Sequence, residues 1–189
     1  YCSFINGGKL VNPILIDRIQ DSEGKTIFNN EKRYCENCDL ISYDGTSNPV
    51  IKSKYKQIFS PQTAYQITSM LRGAVERGTG KGLRDLKLEI AGKTGTTNKN
   101  TDTWFIGFTS NLVVGVYIGY DNPRSLGKFE TGSKTAMPVF KEFIKKTANN
   151  YNARPFKVAD NIKMMVVDLK TGKKANSKTK TGIIESFKT

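Results

Sequence analysis

An α+β fold, with an antiparallel sheet flanked by helices, follows from three observations. Residues 89–119 hold three short apolar-rich segments separated by brief polar turns. An amphipathic segment begins upstream at Ser60-Pro61, and a second runs over about 135–146 downstream. With 189 residues the chain is long enough to bury one core.

The elements follow in order. Residues 10–16 and 25–28 suggest two extended segments joined across Ser22-Glu23-Gly24. Residues 29–58 are polar, contain Cys35 and Cys38 and lack apolar periodicity, so they predict a variable loop with short strands at most. Ser60 is a good N-cap and Pro61 suits the first helical position. Ala64, Ile67, Leu71, Ala74 and Val75 then share a helical face, and Gly78 supplies the stop. Strands are expected over 89–96, 103–109 and 112–119, the last two joined by the tight Ser110-Asn111 connection as an antiparallel hairpin. The second helix, 135–146, carries Ala136, Val139, Phe140 and Phe143 on its apolar side. Beyond it, Asn149 to Asn152 reads as a linker, 163–169 as a strand and Thr171-Gly172 as a turn. The Lys-Thr-Gly tripeptides at 170–172 and 180–182 read as turns in a basic tail. The domain reading is therefore 1–148, with 29–58 as its variable loop, followed by 149–189 as linker and basic C-terminal extension.

Chemistry concentrates at Gly92-Lys93-Thr94-Gly95-Thr96-Thr97. Lys93 supplies a compact cation, and threonine hydroxyls can donate to a carboxylate oxygen. Gly95 lets another backbone come close to the strand. In the next segment Trp104, Ile106 and Phe108 alternate with other residues, as in a half-buried strand. Histidine is absent, which excludes a Ser-His-Asp or Cys-His arrangement and a His-ligated metal within the chain. No cofactor is implied. The net charge of +13 fits solvated lysine faces, and also attraction to an anionic surface such as lipid headgroups or wall polymers. No zinc-finger or RNP motif argues for nucleic acid.

These motifs closely resemble the transpeptidase domain of class A (bifunctional) penicillin-binding proteins. The resemblance rests on Gly92 to Asn98, Trp104 to Thr109, Phe4-Ile5-Asn6-Gly7-Gly8 with Asn12-Pro13, Ser60 to Ala64, and Arg77-Gly78-Thr79-Gly80. Val113 to Val116 with Tyr120-Asp121, and Pro123 to Gly127, follow in family order, as does the helix around Pro138. It covers roughly residues 1–145 and implies a partial β-lactamase-like fold. The three strands would form one half of a five-stranded sheet whose other strands come from an upstream region. An exported parent would favour a local Cys35–Cys38 disulfide, as paired cysteines occur in this loop of some relatives. Free thiols, and more remotely half a metal site, remain as alternatives.

The resemblance implies a peptidoglycan DD-transpeptidase that binds a stem peptide ending in D-alanyl-D-alanine, and β-lactams that mimic it. Lys93 would supply positive potential and aid proton transfer. Thr94 and Thr96 would hold the terminal carboxylate, Gly95 would admit the peptide backbone, and the N–H of Thr96 would form part of the oxyanion hole. Thr97 would orient the strand or touch the substrate flank. The family's Ser-x-x-Lys nucleophile and Ser-x-Asn motifs are expected upstream of the strand. No Ser-x-Asn occurs here, and Ser53/Lys56, Ser125/Lys128 and Ser177/Lys180 are read as chance in a lysine-rich chain. The expectation is thus a C-terminal fragment, inactive alone, of a protein held by an N-terminal anchor at the periplasmic face of the inner membrane. A non-catalytic basic wall-binding domain and a DD-carboxypeptidase or β-lactamase relative are the alternatives.

Overall fold

A computed structural model describes residues 1–30, 33–36, 38, 45, 50–151 and 154–189. They divide into two compact units, Tyr1–Gly8 with Phe59–Thr189, and Lys9–Ile58. The smaller unit holds two antiparallel hairpins. One joins β1 (Arg18–Gln20) to β2 (Thr26–Asn29), the other β3 (Arg33–Glu36) to β4 (Val50–Ser53). Asp21 builds the first turn, its Oδ1 accepting from the N–H groups of Glu23 at 3.0 Å and Lys25 at 2.9 Å. The turn fixes which residues pair beside it, so the first strand is Arg18–Gln20 and not the expected 10–16. Pro13, inside that segment, has no N–H to give a ladder, and Leu15 is 99% exposed. Cys35 and Cys38 are disulfide-bonded, while Cys2 is a free, exposed thiol. Much of the expected variable loop between Glu36 and Val50 lies outside the described residues.

In the larger unit a short helix α1 (Cys2–Ile5) precedes α2 (Pro61–Glu76). The Ser60 hydroxyl caps α2 by accepting from the Thr63 N–H, with Pro61 in the first turn. Its buried face is Ala64, Tyr65, Thr68, Gly73 and Val75. Ile67, Leu71 and Ala74, expected on that face, are only half-buried. Thr68 can lie inside because its hydroxyl donates to the Ala64 carbonyl at 3.0 Å. The helix ends as expected, Gly78 N–H donating to the Ala74 carbonyl at 3.1 Å.

A 3-10 helix (Lys81–Leu86) leads to a three-stranded antiparallel meander, β5 (Ala91–Thr96), β6 (Thr103–Phe108) and β7 (Val113–Ile118), in that spatial order. These are the three strands the sequence predicts. Helix α3 (Ala136–Tyr151) covers one face. Phe105 and Phe140, both fully buried, meet with ring centroids 4.8 Å apart. Each buried aromatic of this kind contributes about 1.5–3 kcal/mol. Gly107 makes room for them, since a Cβ there would stand 2.6 Å from the Phe105 ring and 2.7 Å from that of Phe140.

The apolar side of α3 is rotated from expectation. Ala136, Met137, Phe140 and Ile144 are buried, whereas Val139 is 51% and Phe143 41% exposed. The turn ahead of the helix sets this rotation. Met137 N–H donates to the Gly132 carbonyl at 2.8 Å, and the Thr135 and Thr103 hydroxyls lie 2.6 Å apart. The helix also continues past Asn149 to Tyr151, where a linker was expected; Asn152 lies outside the described residues.

The final segment is no mere basic tail. β8 (Ile162–Asp168) pairs along its whole length with β9 (Gly182–Lys188). Gly182 opens that strand, although a turn was expected there. Lys170-Thr171-Gly172 is a turn, with Asp168 Oδ1 accepting from the N–H groups of Lys170 and Thr171, both at 2.9 Å. The hairpin docks on α2. Gln66 Nε2 donates to the Ser186 carbonyl at 3.1 Å, and Arg77 pairs with Glu185 at 2.7 Å.

Candidate functional site

Strand β5 ends the meander. It pairs with β6 alone, and among the described residues no strand lies along its other edge. The register sets Lys93 opposite Ile106, Thr94 opposite Phe105, Gly95 opposite Trp104 and Thr96 opposite Thr103. Because side chains alternate along a strand, Lys93 and Gly95 share the face of Ile106 and Trp104, while Thr94 and Thr96 share that of Phe105 and Thr103.

Lys93 is exposed, and its ammonium donates to the Thr94 carbonyl at 2.9 Å, with the Thr94 hydroxyl 3.4 Å away. Among the described residues no carboxylate pairs with it. The Thr94 hydroxyl lies 2.9 Å from that of Thr79. Thr79 comes from the turn closing α2, the helix packed against β5. Thr96 accepts from the Gly132 N–H at 3.1 Å. Gly132 sits so close that a Cβ would run into the carbonyl oxygens of both Gly95 and Trp104.

Thr97 turns away from the others. Its hydroxyl accepts from the Asp102 N–H at 2.8 Å, and its own N–H donates to the Asp102 carbonyl at 3.0 Å. The two bonds close the connection from β5 to β6. Within it Lys99 and Asn100 take left-handed φ values of 63° and 54°. Asn100 uses its side chain to donate to the carbonyls of Gly127 at 2.9 Å and Lys128 at 2.8 Å. Asp102 accepts from the Tyr117 hydroxyl at 2.8 Å, and that hydrogen bond to a carboxylate holds the phenol above its ordinary pKa.

An ammonium that among the described residues has no carboxylate partner, lying 3.4 Å from the Thr94 hydroxyl on a strand whose outer edge no described strand pairs, can hold a carboxylate while an extended peptide adds as a further strand. Lys93 and Thr94 are brought together as the sequence suggested, with Gly95 and Thr96 next along the strand. Thr79, Gly132 and Asn100 join them from outside the residues to which the sequence points, although Thr79 belongs to the Arg77-Gly78-Thr79-Gly80 segment that carries part of the resemblance. None of the serines preceding a lysine by three opens a helix. Ser22, ahead of Lys25, lies in the turn between β1 and β2, Ser53 ends β4, Ser125 lies in a loop and Ser177 in the connection between β8 and β9. Among the described residues no group of three or more His, Cys, Asp or Glu side chains is placed to hold a metal ion, and no helix is long and apolar enough to cross a membrane.

Residues 1–145 match the family model of the penicillin binding protein transpeptidase domain. The chain belongs to that family. Penicillin-binding protein 1A of Rickettsia prowazekii (strain Madrid E) is 43% identical over 190 residues, which cover 100% of this chain and 24% of that protein. Penicillin-binding protein 1A of Pseudomonas aeruginosa is 30% identical over 215 residues, 98% of this chain and 26% of that protein. The crystal structure of penicillin-binding protein 1A from Haemophilus influenzae superposes with a TM-score of 0.76 at 28% identity, covering 98% of this chain and 30% of that one. The chain thus spans about a quarter of the length of the curated relatives it matches. The expected α+β, β-lactamase-like transpeptidase fold is the one found, and in this penicillin-binding protein transpeptidase chain Lys93 to Thr96 form its open edge.

Proposed function

We propose that the protein containing this chain is a peptidoglycan DD-transpeptidase, and that β5 is the strand on which its peptide substrate is laid. The observation that carries this reading is the Lys93 ammonium, which among the described residues has no carboxylate partner and lies next to Thr94 on a strand edge that no other strand covers. A stem peptide ending in D-alanyl-D-alanine adds along that edge. Its terminal carboxylate lies against Lys93 and the hydroxyls of Thr94 and Thr96, and Gly95 leaves space for its backbone. A serine supplied by another part of the protein attacks the penultimate carbonyl, with its proton passing to a lysine beside it. The oxyanion is held by backbone N–H groups, including that of Thr96. The tetrahedral intermediate collapses to an acyl-enzyme and releases D-alanine as its amine takes up a proton. An amine from a second stem peptide then attacks the ester, forming the cross-link and freeing the serine. Thr97 positions the strand end through the Asp102 turn. This chemistry belongs on the extracytoplasmic side of the membrane, where the wall is assembled.

The full-length protein should form a covalent adduct with a fluorescent penicillin, whereas residues 1–189 alone should not, having no Ser-x-Asn and no helix-opening Ser-x-x-Lys. Lys93→Ala in the full-length protein should slow acylation by roughly 10²-fold, the scale of a lost electrostatic or proton-transfer group. Acylation at the unaltered rate would remove Lys93 from the mechanism, and labelling of 1–189 would place the nucleophile among its own serines.

A further inference from the structure

The loop between β7 and α3 lies alongside the end of β5, and hydrogen bonds hold it there. The Asn100 side chain donates to two consecutive carbonyls of this loop, Gly127 and Lys128, and the Leu126 N–H donates to the Asn100 carbonyl at 2.8 Å. At its far end Gly132 donates to Thr96, the residue placed at the reacting carbonyl. Asn100 adopts a left-handed conformation, which asparagine tolerates better than most side chains. Between these two anchors stands Phe129, 67% exposed, with the Lys128 and Lys134 ammonium groups 5.6 and 5.7 Å from its ring centroid. Among the described residues neither lysine forms an ion pair. Residues 126–134, pinned next to the proposed peptide groove, thus carry two cations against one carboxylate, Glu130, with which, among the described residues, neither lysine pairs.

The chemistry this arrangement fits is a carboxylate. A peptide paired antiparallel to β5, with its C-terminal carboxylate at Lys93 and Thr94, runs backward past Thr97 toward the Asn100 turn. Each residue advances it about 3.3 Å, so the residue just before the two D-alanines comes abreast of the loop. We propose that Lys128 and Lys134 are specificity-determining residues that read a side-chain carboxylate on that upstream residue, and that Asn100 is the positioning residue holding their loop. The inference rests on the strand-addition reading above. Phe129, against which both ammonium groups lie, covers the aliphatic part of the same side chain.

The test uses the full-length protein and two synthetic peptides, N-acetyl-glutamyl-D-alanyl-D-alanine and its glutaminyl counterpart, with D-alanine release as the readout. The wild type should show the lower KM for the glutamyl peptide. Lys128→Ala with Lys134→Ala should raise that KM about five- to tenfold, the scale of one or two exposed ion pairs, and leave the KM for the glutaminyl peptide within twofold. Arginine at both positions should restore the preference. Asn100→Ala should also erode the preference, raising KM for the glutamyl peptide more than it changes kcat. Equal loss on both peptides, or a preference unchanged in the double variant, would overturn the inference while leaving the strand-addition reading intact. A wild type that releases no D-alanine and binds no penicillin would overturn that reading and this one with it.

Discussion

Gly132 is the residue on which the site's geometry most depends, and it carries no side chain at all. Its N–H holds the Thr96 hydroxyl, and a Cβ in its place would run into the backbone where Gly95 and Trp104 are paired. Gly132→Ala should therefore force β5 and the 126–134 loop apart, with a stability loss of about 1–3 kcal/mol by urea denaturation. Gly115→Ala is the matched control, because its Cβ would meet only Ile106 Cγ1 at 3.9 Å. Equal losses for the two variants would mean that Gly132 is not a tight contact. Lys93 and Thr94 were legible in the sequence because their chemistry is packed into adjacent positions. Gly132, Asn100 and Thr79 were not, because each acts through a partner 36, 27 or 15 residues away. A sequence shows that such a glycine or asparagine is permitted, but the fold decides what it touches.

The strands of the meander were legible element by element, since short connections leave antiparallel neighbours no other arrangement. Helix rotation was harder. α3 has more apolar residues than one face can bury, and a tertiary anchor at Gly132 chose Met137 and Ile144 over Val139 and Phe143. The β8–β9 hairpin was half missed because a long lysine-rich connection hides the pairing, and its docking partners on α2 lie 108 to 120 residues away. Asp168 makes that connection sensitive to acid. The backbone N–H of Thr171 foremost, then that of Lys170, stabilises its charged form and lowers its pKa from 3.8. A lowered folded pKa means that the unfolded chain binds the proton more readily. The stabilisation is thus complete above the ordinary carboxylate pKa and disappears as pH falls through the lower, folded value. NMR should show the Lys170 and Thr171 amide resonances titrating together below pH ~3.8, with the loss of the turn. Asp168→Asn should abolish that transition. Amides that titrate at the ordinary value would show that the turn does not hold the carboxylate.

At the scale of the whole molecule, charge opposes folding. Lys and Arg number 30 against 17 Asp and Glu, so many cations have no carboxylate available. Ion pairs such as Arg72–Glu89, Arg77–Glu185 and Lys141–Asp85 are partly or largely exposed. Pairs of that kind contribute about 0–1 kcal/mol each. Salt acts on both effects, weakening the pairs and screening the repulsion. The pairs are short-range contacts at 2.6 to 2.7 Å, whereas the repulsion sums over the whole surface. Raising ionic strength from 0.01 to 0.15 M shortens the screening length from about 30 to about 8 Å. That change removes most of the long-range repulsion and leaves close pairs largely intact. The thermal midpoint of residues 1–189, followed by far-UV circular dichroism at neutral pH, should therefore rise by several degrees over this range of sodium chloride. A midpoint that fell instead would show that the ion pairs outweigh the net charge of +13, and that the exposed lysines lie farther apart than their number suggests.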